Sequence, residues 1–191
     1  GTTIERRTMI VWSTLVATMT LASGLLMWLE PQPLAPGGGL ALAATGEGDR
    51  LGAVFATSRP IRDDRWGGIV IHHSGQMRGD ARSIADLHDS LRYDGLQYHF
   101  VIGNGTGSAD GLIEVGPRWM NQRDGVYAER SISICLVGNG DKTPPTAVQM
   151  DRLGALVRAL RDQLSIPSER VVLHRQVAQT TSPGRLFPHG R

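Results

Sequence analysis

The sequence predicts an α/β domain, a mixed central β-sheet flanked by helices, with one transmembrane helix ahead of it. Three observations carry this. The stretch from Ile69 to Gly75 reads IVIHHSG, a β-branched apolar run that closes on two histidines and a turn, as a buried strand does. Ser131 to Val137 (SISICLV) alternates, with Ile132, Ile134 and Leu136 on one face and Ser131, Ser133 and Cys135 on the other. Two further stretches, 80–92 and 143–164, repeat apolar residues at helical spacing. Strands and helices in the order β-α-β-β-β-α-β build a mixed sheet with helices packed on it.

Taken in order, residues 1–7 form a short cytoplasmic N-terminus, 8–29 a transmembrane signal-anchor, 30–64 a flexible linker, and 65–191 the folded domain. Thr8–Leu29 contains no charged residue, and roughly 20 such residues span a bilayer core. Arg6 and Arg7 precede it, which by the positive-inside rule leaves the N-terminus in the cytoplasm and the domain on the outer face of the membrane. The competing reading is a cleaved leader, with Ala41-Leu42-Ala43 as its small-x-small site and a secreted domain as its product. Glu30–Asp64, with its PQPLAPGGG run, offers little to bury and reads as a tether.

Within the domain, Asp80 caps a helix on which Ile84, Leu87, His88 and Leu91 share a face. His88 reads as a satisfied core histidine. Leu96–Ile102 predicts a strand with Tyr98, Phe100 and Ile102 on one face and His99 on the other. GNGTG then turns the chain into a second strand, 111–115, making a hairpin. Thr143, followed by Pro144, predicts the start of the long helix that carries Met150, Leu153, Val157, Leu160 and Leu164. Val171-Val172-Leu173 is a short buried strand ending on His174.

Composition excludes several functions. Twenty basic against 18 acidic residues leave a formal charge of +2, too weak a field for nucleic acid. A single cysteine, Cys135, rules out an internal disulfide and any zinc site of several thiolates. What remains are two strands that each end on a histidine. Alternation sends His72 and His73 to opposite faces, so only one of them joins any given site. Catalytic zinc takes three protein ligands and leaves one position open. His72 and His174 supply two, and the third falls to the coil RQVAQTTSPG after His174.

The stretches IVIHHSG, YHFVIGNGTG, SISICLVGNGD, TPPTAVQMDRL and VVLHRQVAQTTSPG resemble, in order and approximate spacing, those of the type-2 N-acetylmuramoyl-L-alanine amidases, the superfamily that includes the peptidoglycan recognition proteins. The resemblance runs from about Trp66 to Pro188. It implies a Zn2+-dependent hydrolase cutting the amide between N-acetylmuramic acid and the L-alanine of the stem peptide, with peptidoglycan or muropeptides as partner. It further implies His72 and His174 as zinc ligands, with Tyr98 and Thr180 as catalytic residues. Ser182 stands where the family carries a cysteine or aspartate ligand, and a hydroxyl is a poorer ligand than either. Tyr127 falls near the place of another family histidine, and with His73 it is assigned to substrate binding. His189 is the alternative third ligand. The alternative function is a peptidoglycan-binding module of the same fold. A serine hydrolase built on Ser182 and His174 lacks a nucleophile-elbow sequence and an orienting acid.

Overall fold

The computed structural model describes residues 51–62, 64–125 and 129–188. The N-terminal segment 1–7, the membrane-anchor stretch 8–29, the linker as far as residue 50, and the site candidates Tyr127 and His189 lie outside the described residues. Among the described residues no helix is long and apolar enough to cross a membrane.

The domain is a five-stranded sheet with helices on both faces. Its elements are β1 (Gly68–His73), α1 (Ala81–Ser90), β2 (Phe100–Ile102), β3 (Ile113–Val115), α2 (Pro117–Met120), β4 (Ser131–Leu136), α3 (Ala147–Leu164) and β5 (Val171–Leu173). The strand order is β3-β2-β4-β1-β5. β1 runs parallel to both β4 and β5, and β2 parallel to β4, while β2 and β3 form the antiparallel hairpin that the GNGTG turn predicts. The sheet is therefore mixed, as the order of elements requires.

Strand alternation divides the interior. Ile69 and Ile71, Phe100 and Ile102, and Ile132, Ile134 and Leu136 meet Leu153, Leu156, Leu160 and Leu164 of α3 in one core. The opposite face carries a smaller cluster, Val101, Cys135, Val137, Tyr98 and Leu96, against Ile84 of α1. Both long helices open on reciprocal caps. The Asp80 carboxylate accepts the Ser83 N–H at 2.7 Å, and the Ser83 hydroxyl accepts the Asp80 N–H at 2.9 Å. In α3 the same exchange joins Thr146 and Gln149. Each exchange satisfies helix-end donors that would otherwise have no partner.

Four expectations need correction. The α3 cap is Thr146, not Thr143. Three residues on from Thr146 stands Gln149, which completes the capping box, so Pro144 and Pro145 precede the helix. The α1 stripe stops before Leu91, which is largely exposed, because Arg92 turns left-handed with φ 65°. β5 is an edge strand paired only with β1 and is half-buried throughout. The tether, finally, ends earlier than residue 64. Val54 is fully buried, Leu51, Phe55 and Ile61 pack on the α3-side core, and the Trp119 indole N–H donates to the Val54 carbonyl at 2.6 Å. A few apolar residues with no period escape a pattern reading, yet one buried carbonyl anchors them.

The strand before the hairpin also differs from expectation. Only Phe100–Ile102 is ladder. A bend at His99 breaks the alternation, so Tyr98 joins the α1-side cluster while Phe100 and Ile102 enter the α3-side core. His99 is held by its own bonds. Its Nδ1 accepts the Ser133 N–H at 2.9 Å, which leaves the proton on Nε2 to donate to the Arg123 carbonyl at 2.9 Å. Its ring meets Trp66 edge-on at 5.0 Å. Complete burial pushes this imidazole down to about 4, against the raising effect of the Arg123 bond.

Candidate functional site

Register assembles the site. Ile71 pairs with Leu173 across β1 and β5, and Ile71 and His72 pair with Ile134 and Cys135 across β1 and β4. One residue beyond the last β1–β5 pair, His72 and His174 come side by side with ring centroids 4.3 Å apart. Two strands nearest neighbours in the sheet, each ending on a histidine, thus deliver both rings to one place at their carboxyl ends, the usual location of an α/β site. Tyr98, freed from the ladder by the bend at His99, lays its ring 5.2 Å from that of His72. His72, His174 and Tyr98 form one cluster on the α1 side.

His72 is 1% exposed. Burial pushes its imidazole down to about 3, and the nearby His174 adds to the effect. His174 is half-buried and also lowered, chiefly by burial. Both shifts favour the neutral ring at pH 7. This is the state in which imidazole binds a metal.

His73 faces the other way, as alternation requires. Its Nδ1 accepts the Gly140 N–H at 3.0 Å, and it bonds the Pro183 carbonyl, so its ring joins β1, the turn after β4 and the closing coil. Burial lowers its pKa, while the Asp141 carboxylate and the Pro183 bond raise it. The structure gives His73 a bracing place. Ser182 is buried, and its hydroxyl accepts the His73 N–H at 3.1 Å. Thr180 is exposed, its hydroxyl accepting the Ser182 N–H at 3.2 Å. The coil that holds Ser182 is thereby tied to the end of β1, directly beside His72.

The donor set fits zinc in part. Two neutral imidazoles supply two of the three protein ligands of a catalytic site. Among the described residues no third His, Cys, Asp or Glu joins them in a group able to hold a metal ion, and the Ser182 hydroxyl, the sequence candidate for the third place, accepts the His73 backbone N–H.

Sequence reasoning missed the clamp around the closing coil. Asp141 accepts the Thr181 hydroxyl at 2.6 Å and the Arg185 N–H at 2.9 Å. The Thr181 bond, first, and the Arg185 N–H hold its carboxyl below the usual range. Beside it Gly140 and Gly184 cross so closely that a Cβ on Gly140 would stand 2.0 Å from the Pro183 carbonyl oxygen. The sequence signal was available in GNGD, two glycines and an acid directly after a strand, but its partner lies some forty residues later.

The profile of the family described as N-acetylmuramoyl-L-alanine amidase matches residues 62–185. A peptidoglycan recognition protein of Trichoplusia ni is 32% identical over 108 residues, 54% of this chain and 57% of that protein. The chain thus spans little more than half the length of this curated relative. Among solved structures, an endolysin N-acetylmuramoyl-L-alanine amidase from Clostridium intestinale URNW aligns at 27% identity over 69% of this chain and 84% of that one, with a TM-score of 0.48. Manduca sexta peptidoglycan recognition protein-1 aligns at 28% identity over 64% and 74%, with a TM-score of 0.47. With the family profile covering well over half of its length, the chain belongs to the N-acetylmuramoyl-L-alanine amidase family.

Proposed function

We propose that the domain is a zinc-dependent peptidoglycan amidase. It hydrolyses the amide between the lactyl group of N-acetylmuramic acid and the L-alanine of the stem peptide, while anchored by residues 8–29 to the outer face of the cytoplasmic membrane. The observation that carries the reading is the convergence of His72, His174 and Tyr98 at the ends of two adjacent parallel strands. His72 and His174 would hold the zinc, with Ser182 in the third place. Bound zinc supplies a Lewis acid for the scissile carbonyl and a water of lowered pKa.

The protein's own part is positional and electrostatic. Burial keeps the His72 and His174 rings neutral and fixed. The Tyr98 phenol donates its proton as a hydrogen bond to the carbonyl oxygen as negative charge develops there, which is worth most in a site that excludes water. The His73–Gly140–Pro183 bonds and the Ser182 hydroxyl hold the closing coil against β1, so that the substrate meets a preformed wall. Thr180, exposed on the closing coil, would assist the catalytic step.

A second reading is favoured by one specific observation. The Ser182 hydroxyl is committed to the His73 N–H, and no charged third ligand accompanies the two histidines among the described residues. On that reading the domain binds muropeptides without cutting them. Zinc content of the purified full-length protein, measured with cleavage of a muramoyl-peptide, separates the two. Stoichiometric zinc and cleavage, both lost in His72→Ala and His174→Ala, support the amidase. Zinc-free protein that binds but leaves the amide intact overturns it, and a gain of both properties in Ser182→Cys would show that only the thiolate was missing. Retention in the membrane fraction after a high-salt wash tests the anchor.

A further inference from the structure

Tyr98 poses a physical problem. It lies outside the ladder, since β2 begins at Phe100, so no strand pairing fixes its ring. A donor aimed at a developing charge must nevertheless be held to about 0.5 Å. What stands around Tyr98 is therefore informative. His72 lies 5.2 Å away. His88 of α1 is also close, 5.4 Å away with the rings tilted at 55°. Tyr93 closes on His88 edge-on at 5.9 Å.

His88 is bound as well as packed. It is buried on the α1 face that carries Ile84, and its Nδ1 accepts the backbone N–H of Gln97 at 3.1 Å. That bond leaves the ring neutral with its proton on Nε2. Gln97 is the residue immediately before Tyr98, so one imidazole holds both the peptide leading into the tyrosine and the tyrosine's ring. The rest of the segment is secured separately. Asp89 accepts the Gly95 N–H at 2.8 Å, and Arg118 donates to the Leu96 carbonyl at 3.1 Å and to the Gln97 side chain at 2.7 Å. Those bonds fix the loop, His88 packs on the Tyr98 ring, and the Tyr98 side chain is hydrogen-bonded with Cys135 of β4.

We propose that His88 is a positioning residue of the site. Its Nδ1 anchors the Gln97 peptide and its ring face sets the Tyr98 phenol against His72. The inference rests on the reading of Tyr98 as the oxyanion donor, and it extends the site into α1. A core histidine that merely filled space would not need an acceptor nitrogen, a ring face and a neighbouring functional ring in the same place.

The two functions of the ring are separable by substitution. His88→Asn keeps an acceptor without the ring, His88→Phe keeps the ring without the acceptor, and His88→Ala removes both. Each is made in the full chain, alone and combined with Tyr98→Phe. Two readouts are taken, the NMR spectrum of protein labelled in its tyrosine rings and the kinetics of muramoyl-peptide cleavage. In His88→Ala the Tyr98 ring signals shift and broaden, kcat falls roughly tenfold and KM stays within about twofold, the pattern of an interaction made in the transition state. His88→Asn and His88→Phe each recover part of both effects, and they serve in its place if the alanine variant does not fold. In the Tyr98→Phe background none of the three lowers kcat further, because a positioning residue has nothing left to position. Unmoved Tyr98 signals in folded variants, or losses that multiply with Tyr98→Phe, overturn the proposal. If the unmodified protein cleaves nothing, the amidase reading falls by itself, and the tyrosine spectrum alone then decides, a shift supporting the anchoring role and its absence refuting it.

Discussion

Beneath α3 the sheet presents Ile69, Ile71, Phe100, Ile102, Ile132, Ile134 and Leu136, and the core there gathers Trp66, Trp119 and Val54 as well. Beneath α1 the same strands present Val70, His72, Val101, Ser133 and Cys135, with Tyr98 and His88 above them. One side is filled by large branched residues and the other by small or polar ones. The larger cluster supplies cohesion, since apolar burial contributes about 25 cal/mol per Å². The smaller side is where burial is spent on neutral imidazoles and a phenol, groups that stabilise little and lie close together. The Ser133 hydroxyl, buried there with no hydrogen-bond partner among the described residues, shows that this face tolerates an unfavourable group.

Substitutions test that division, beginning with the largest effect. Trp119→Ala should cost about 3–5 kcal/mol in denaturant unfolding, through the cavity it leaves and the Val54 carbonyl it abandons. A cost under about 1 kcal/mol would mean that the α3 side is not the principal store of stability. The second test is pH. His99 is neutral in the fold with its pKa pushed down to about 4, while the unfolded chain protonates near 6.5. A depressed folded value means that this stability is complete above about pH 6.5 and is lost as the pH falls toward 4. The loss amounts to about 3 kcal/mol at most. Stability measured by denaturant unfolding should fall across that window, and His99→Gln should lessen the fall without abolishing it, because His72 is pushed down as well.

Smaller effects probe the side that bears the site. Ser182→Ala removes the acceptor of the His73 N–H and should destabilise by about 1–3 kcal/mol, the range for a buried donor left unmade. A neutral result would mean that water replaces the hydroxyl and that the coil is looser than its bonds imply. Ser133→Ala should be neutral, or stabilising by up to about 1 kcal/mol, because it deletes a buried hydroxyl that lacks a partner. Calorimetry suffices for both. A clear destabilisation by Ser133→Ala would erase the contrast between the faces.

The parts that sequence revealed are those with a period. Alternation in SISICLV and IVIHHSG separated Ile132 from Cys135 and His72 from His73, and the structure keeps both separations. Helical spacing gave the α3 stripe. What stayed hidden depends on single contacts between distant residues. The bend at His99 follows from bonds to Ser133 and Arg123, which no local pattern encodes, and it moved Tyr98 to the other face. Val54 and its neighbours carry no period, so contacts with the distant Trp119 and Met120 reveal their place. The candidate ligands were visible as strand ends, but the bracing of Ser182 and Thr181 by His73 and Asp141 was not, because those partners are set by how the closing coil returns to β1.

The strand order has a consequence for the time at which the site comes into being. β1 is the second strand in space from one edge but the first in sequence, and both of its neighbours arrive late: Ile69 pairs with Ile132 and with Val171. A chain emerging from the ribosome or a translocation pore can close the β2–β3 hairpin early, yet its first strand stays unpaired until β4 appears. It acquires its second flank only with β5, about a hundred residues further along the chain. Pairings separated by roughly a hundred residues close slowly. The histidine pair, which exists only once β5 has docked, is therefore among the last features to form. A nascent or truncated chain lacking residues from Val171 onward carries His72 beside Tyr98 but no second imidazole, so the arrival of β5 acts as the gate on the histidine pair.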